Sequence, residues 1–516
     1  MPRHSIKNVI KELDHDLIAF MNENALSGLA AGVVHDGELV YAKGFGLAHG
    51  SEKRPVTADT GFRIASISKT FTAIAIMQLW EQNKLDLDEP VNNYLKAFQV
   101  IHPDPNAPLV TFRHMLTHTS GIGELRNNED LLKALILNKD MGEVKIGEPI
   151  PTLKDFFNGV LTPDVYPEQK WAYANHAYAA LGQLIEDISG EPFAEYMIRH
   201  VFEPLGMTKT DFLLSERVIE SLSQGYISKK GGLKAVEFTE FPDLAAGSVI
   251  SSVNEMGLYM QALLNGGSNG QGSVIKPETL EMMMTPHYQA DPALAAMGLG
   301  FFLDDLNGNW IASHGGSLEG FNSIMRISPK DGTGLILMSN TSARKIYTLG
   351  ETLLRKLVGA VSHTDRVPVK GIPSSPHVWK NLVGSYNPKR GLNSNARAWL
   401  MLGGEIEVYV KNNKLMMRSL LGTYKQGIEL HPADASNELV FENVTDDKPT
   451  KLVFQRNAEG YIDRFSLTAM MFFTFYKRAV TETVRFKAMT IAGLLGGLIL
   501  GILVRVCRKC CKKKNC

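Results

Sequence analysis

The chain is expected to adopt an α/β (α+β) fold. This would be an antiparallel sheet flanked by helices with an all-helical insertion, followed by a small all-β domain and a C-terminal transmembrane helix. Three observations predict it. Two β-rich hairpins lie near the two ends of the first 361 residues, with helix- and loop-like chain between them. Short alternating apolar runs recur from 378 to about 478, and the segment 488–504 carries no charge.

The first element is an amphipathic helix, because Ile6, Val9, Ile10, Leu13, Leu17, Phe20 and Met21 recur at helical spacing between charges. The interruptions exclude a secretory signal, which needs an unbroken apolar stretch of about 7–15 residues. Two β-rich runs then flank Asp36-Gly37, a dipeptide suited to a tight hairpin. A second hairpin is expected from Ser323–Ser328 and Gly334–Met338 around Asp331-Gly332, with an amphipathic helix from about Ala343 to Val361.

Residues 1–361 therefore read as one domain and 362–377, rich in Pro, Ser and Gly, as a linker. Residues 378–480 alternate in the manner of an antiparallel barrel or sandwich. The uncharged stretch 488–504 lies between Lys487 and Arg505 and as a helix measures about 25 Å, enough for a bilayer core if the flanking cations snorkel. A single-pass membrane anchor is the expectation, and Gly493, Gly497 and Gly501 at every fourth position would allow it to pair as a homodimer.

The tail 505–516 holds all four cysteines, Cys507, Cys510, Cys511 and Cys516, among six basic residues. Clustered cations oppose zinc at Cys507-x-x-Cys510, which leaves palmitoylation or a plain solvated tail. No disulfide can staple the body of the chain. Topology stays open: a basic tail prefers the cytoplasmic side and would put the body outside, whereas the missing signal and absent disulfides favour a tail-anchored body in the cytoplasm.

Composition bounds the partners. Lys+Arg and Asp+Glu both number 54, and with six cations confined to the tail the remaining body carries a net charge of −6. No basic field exists to hold a nucleic acid. At 44% hydrophobic and 21% charged, the chain is neither disordered nor collagen-like.

The chemistry concentrates in FRIASISK, where Ser66 and Lys69 project from one face of a helix start. An amine this close to a hydroxyl can act as its base if burial suppresses the ammonium charge. The spacing alone is a weak signal and needs partners. They follow in order: VTFRHMLTHTSGI (Val110–Ile122), WAYANHAYAALGQLIEDISG (Trp171–Gly190), AAGSVISSVNEMGLYMQALLNGG (Ala245–Gly267) and SHGGSLEGFNSIM (Ser313–Met325).

Together these segments resemble the serine β-lactamase-like superfamily, in its class C branch with DD-peptidase-type penicillin-binding proteins, D-aminopeptidases and esterases. The resemblance runs from about Ile6 to Val361. It implies a β-lactamase/transpeptidase-like fold, Ser66 as the acylated nucleophile, Lys69 as its partner, and Tyr173 and Asn175 in a Y-x-N motif that relays the proton and orients the substrate carbonyl. It further implies that His314, Gly315, Gly316 and Ser317 bind substrate, with the N–H groups of Ser66 and Ser317 as an oxyanion hole. Where many β-lactamases of the branch carry Lys-Thr-Gly, this chain has His314-Gly315-Gly316, a histidine expected to be only partly charged near neutrality. The departure favours a peptidase or esterase over a dedicated β-lactamase.

Other patterns carry less. Gly266–Gly270 matches G-x-S-x-G but follows a helical run, without the strand-to-helix elbow that a nucleophile needs. His114 and His118 have the spacing of a zinc pair, yet Met115 stands where a metalloprotease has glutamate. Asn340 and Asn443 begin glycosylation sequons, relevant only on a secretory route. The expected function is thus a membrane-anchored serine hydrolase acting through a Ser66 acyl-enzyme on amides or esters. Its substrate would be a small molecule or peptide, with no cofactor or metal. The alternative is a non-catalytic, self-assembling scaffold that keeps the fold.

Overall fold

The computed structural model describes residues 6–126, 142–306, 308–360, 375–388, 391, 393–422, 424–443, 450–467, 472–484, 486 and 490. Its main sheet has eight strands in the order Ala296–Met297, Phe302–Asp305, Trp310–Leu318, Phe321–Ser328, Thr333–Ser339, Gly28–His35, Glu38–His49 and Arg54–Pro55, with antiparallel neighbours throughout. The two expected hairpins thus meet edge to edge, Gly28–His35 pairing with Thr333–Ser339. At the first turn Asp36 and Gly37 both take positive φ, 49° and 82°, the conformation for which Asp-Gly is favoured.

Side chains of Gly28–His35 alternate between two cores. Leu29, Ala31 and Val33 pack with Leu13 and Leu17 of the N-terminal helix Ile6–Glu23 and with Leu353 and Leu354 of the helix Ile346–Leu357. Ala30 and Val34 face the larger core on the other side, with Val253, Met256 and Met260. Burial on both faces explains why this strand reads GLAAGVVH without polar alternation. On the larger side the helix Ser68–Glu81 is buried all round from Ser68 to Leu79, and Phe71 stacks on Tyr259 with ring centroids 3.9 Å apart.

The insertion departs from the all-helical expectation. It contains four small two-stranded ladders, among them Phe62–Arg63 with Ile250–Ser251 and Val144–Lys145 with Thr239–Glu240. Three of the ladders have strands of two residues and the fourth, Tyr226–Lys229 with Gly232–Ala235, strands of four, too short for a readable period.

The second domain is likewise not purely β, since the helices Pro376–Leu382 and Ala396–Leu402 accompany a nine-stranded antiparallel sheet. Its edge strands Ile428–Glu429 and His431–Pro432 are separated only by Leu430, so the sheet curls into a nearly closed barrel. Tyr386, Phe441, Phe454, Phe465 and Phe475 fill it.

Among the described residues no helix is long and apolar enough to cross a membrane. The expected span 488–504, apart from Thr490, and the tail 505–516 lie outside the described residues, and with them Gly493, Gly497, Gly501 and the four cysteines. Both sequon asparagines are fully buried, and Asn340 donates to the carbonyls of Leu47, Ala48 and Gln224, so neither is open to a glycan in the folded chain.

Candidate active site

Ser66 sits in a one-turn 3-10 helix, Ala65–Ile67, that feeds directly into Ser68–Glu81. Ala65 is forced to φ 49°, an unfavourable conformation for a residue with a Cβ. Ser68 holds the turn in place by donating to Ala65 O at 2.6 Å and accepting from Val249 N at 3.0 Å. On the next turn Lys69 is fully buried and donates to Ser66 Oγ at 3.2 Å, Asn175 Oδ1 at 2.8 Å and Ala246 O at 2.5 Å. Three acceptors match the three protons of an ammonium.

Asn175 opens the helix Asn175–Ser189, so the Y-x-N segment meets Lys69 at a helix start. The Tyr173 ring lies 4.9 Å from Lys69 Nζ and stacks on His118 with centroids 4.5 Å apart. The strand Trp310–Leu318 runs against this turn. Ser323, paired with Gly316, donates to Ile64 O at 2.8 Å, and a Cβ on Gly316 would lie 2.0 Å from that same oxygen. Only glycine permits this approach, which aligns the strand carrying Ser317 with the turn carrying Ser66. From behind, Tyr347 donates to Gly316 O at 2.8 Å.

Burial separates the titrations of the two groups nearest Ser66. It pushes Lys69 down to about 7, against the opposing pull of Asp243 and Glu124. It pushes the Tyr173 phenol well above its usual range, and the Arg397 guanidinium and the Ser66 hydroxyl only partly offset this. Near neutrality the amine is therefore the group that can accept a proton, while the phenol keeps its own.

His314 differs from the sequence expectation of partial charge. It is 1% exposed, and burial with Lys69 nearby pushes it down to about 3, so it stays neutral. Its ring packs near Phe302, at 5.2 Å, while Gly315, Gly316 and Ser317 form the strand edge beside Ser66.

Sequence reasoning brought Ser66, Lys69, Tyr173, Asn175 and the 314–317 strand to one place but missed four other members. Glu124 and Asp243 line a pocket of about 140 Å³ with Ser66, Asn175, Phe156 and Phe241. The Ala246 carbonyl holds Lys69. Arg397 comes from the second domain: it grips both oxygens of Glu124, at 2.5 Å each, and lies 4.5 Å from the centre of the Tyr173 ring. Nothing in NSNARAWL marks it, because the position is set by domain docking.

That docking rests on Phe472 against Trp171 and Phe302, on Lys170 Nζ with Asn395 Oδ1 at 2.6 Å, and on Ser394 N with Asp164 Oδ2 at 3.1 Å. Among the described residues no cluster of His, Cys, Asp and Glu could hold a metal, and His118 instead accepts from Ala174 N.

The Beta-lactamase family model matches residues 13–358. The chain belongs to the β-lactamase family. It is 31% identical over 346 residues to PbpX of Bacillus subtilis (strain 168), which is named as a penicillin-binding protein; the match covers 64% of this chain and 75% of PbpX.

Solved structures share the fold. The octameric penicillin-binding protein homologue from Pyrococcus abyssi superposes with a TM-score of 0.59 at 24% identity, over 90% of this chain and 99% of that one. That coverage extends the likeness into the second domain. A D-amino acid amidase from Ochrobactrum anthropi gives 0.54 at 22% identity, over 69% and 98%. Within this β-lactamase-fold family of serine hydrolases, the structure brings Ser66 and Lys69 within 3.2 Å of each other.

Proposed function

We propose that the chain hydrolyses amide bonds of small peptides or amino-acid amides through an acyl-enzyme on Ser66. The observation that carries this is a fully buried Lys69 amine 3.2 Å from Ser66 Oγ, lowered by burial to about 7, beside a buried Tyr173 phenol that stays protonated. Lys69 Nζ takes the Ser66 proton as Oγ bonds to the carbonyl carbon, and the N–H groups of Ser66 and Ser317 receive the oxyanion. Tyr173 then protonates the departing amine and is recharged from Lys69, leaving the acyl group on Ser66 for water to remove. An amine cannot leave unprotonated, so a retained phenolic proton suits amides better than activated esters.

The pocket supports a small acyl group bearing an ammonium, since Asp243 lines it together with Phe156, Phe241 and Leu125. Its neighbour is much larger. A cavity of about 1250 Å³ shares Phe241, Ser317 and Leu318 with it and would accept the bulk of a peptide. The amidase relative adds support for amino-acid amides. A scaffold would have no need of the Ser66–Lys69–Asn175 contacts. In this reading 488–504 attaches the enzyme to a membrane.

The test is intact mass and peptide mapping after a fluorophosphonate probe, together with hydrolysis of D- and L-amino-acid amides. A single adduct on Ser66 is expected, absent in Ser66→Ala, whose melting temperature stays within about 2 °C because a half-buried hydroxyl adds little packing. A labelled Ser66→Ala protein would refute the assignment.

A further inference from the structure

The Arg397–Glu124 pair is the part of the site that the proposed hydrolysis does not employ. It is linked to the nucleophile by an unbroken series of polar contacts. Glu124 binds Arg397 through both oxygens and receives Asn175 Nδ2 at 3.5 Å; Asn175 Oδ1 receives Lys69 at 2.8 Å; Lys69 donates to Ser66 at 3.2 Å. The path starts in the second domain and ends at the nucleophile.

We propose that Arg397 is a positioning residue supplied by the second domain, which by engaging Glu124 fixes the Asn175 amide and prevents the Glu124 carboxylate from holding Lys69 as an ammonium. The proposal rests on the reading of Lys69 as the base of Ser66. An ionised carboxylate only accepts hydrogen bonds, so Glu124 selects the NH2 end of Asn175 and turns its oxygen toward Lys69. The same carboxylate favours a proton on Lys69, and Arg397 acts against it.

The other groups facing Lys69 do not supply this balance. Asp243 is acidic and favours the ammonium, His118 and His314 are kept neutral by burial, and Tyr173 and Tyr178 present ring faces at 4.9 and 5.5 Å. Arg397 is the cation that opposes Asp243 and Glu124 at this amine. Because it is carried on Ala396–Leu402, the readiness of the base depends on the second domain being docked.

The experiment measures the rate of Ser66 labelling by a fluorophosphonate against pH in the full chain, for wild type, Arg397→Gln, Arg397→Lys, Glu124→Gln and the Glu124→Gln/Arg397→Gln double variant. The wild-type rate should rise through about pH 7. In Arg397→Gln the midpoint should move up by roughly one unit, making labelling about tenfold slower below it. The double variant, lacking both charges, should return the midpoint to the wild-type value, and Arg397→Lys should stay near it because the charge remains.

An unchanged midpoint in Arg397→Gln, or an equal loss at every pH that the double variant does not recover, would overturn the proposal. If Arg397→Gln misfolds, Glu124→Gln decides instead, because removing the carboxylate while Arg397 stays should move the midpoint below the wild-type value. Labelling of wild type at Ser66 with unmoved midpoints in Arg397→Gln and Glu124→Gln defeats this proposal alone, whereas no labelling of folded wild type defeats the hydrolase reading with it.

Discussion

Replacing Lys69 with methionine is expected to slow acylation of Ser66 by about 10³-fold, the middle of the range for losing a general base. Methionine keeps most of the buried volume and removes only the amine, so the loss reports proton transfer and not collapse of the site. Second-order labelling rates at pH 8 would measure it, and a rate within threefold of wild type would show that another group takes the Ser66 proton.

The same substitution has a thermal signature. Lys69 is pushed down to about 7 in the folded chain from 10.5, so between these values the unfolded chain holds a proton that the folded chain lacks. Its contribution to stability therefore improves as pH rises through that window and is least favourable below pH 7. Methionine has no proton to gain. The melting temperature of Lys69→Met minus that of wild type should fall from pH 6 to pH 10, and a difference independent of pH would contradict a buried, proton-poor lysine. Lys170, also buried and lowered to about 7, is present in both proteins and cancels in the difference.

Gly316→Ala should cost about 3 kcal/mol of stability in the catalytic domain, at the upper end for overpacking. The added Cβ meets Ile64 O at 2.0 Å and Ser323 Oγ at 2.3 Å, and the first is backbone that cannot swing aside. The strand must move away from the Ser66 turn, carrying Ser317 with it. Losing one oxyanion donor costs about 10²–10³ in rate, so labelling should fall by about that factor. Gly315→Ala is the internal control: its Cβ would meet chiefly the Tyr347 ring, at 3.0 Å, and both effects should be markedly smaller. Calorimetry with labelling kinetics compares the two. Equal behaviour would mean that the close approach to Ile64 does not position the strand.

What could be read beforehand depended on how local the cause was. The Asp36-Gly37 turn and the placing of Ser66 and Lys69 at a helix start follow from neighbours in sequence, and both are present. The second hairpin was also legible, its strands extending slightly beyond the expected ends to Phe321–Ser328 and Thr333–Ser339. The two-residue ladders of the insertion were not, because each exists only by virtue of a distant partner. Glu124, Asp243 and Arg397 share that obscurity: common charged residues without a motif, made into site members by tertiary packing. His314 is the converse case, where the position was legible but its charge state was decided by surroundings the sequence does not display.

The pairing of Gly28–His35 with Thr333–Ser339 sets an order of events during synthesis. The first hairpin leaves the ribosome early, yet the strand that covers its inner edge is made some three hundred residues later. Throughout that interval an apolar strand with open backbone groups stands ready to join any passing chain. The nucleophile segment emerges in the same early portion and must wait longer still, since Arg397 is translated after the whole catalytic domain. Ribosome timing and holding chaperones thus bear on how much of this protein reaches its finished form.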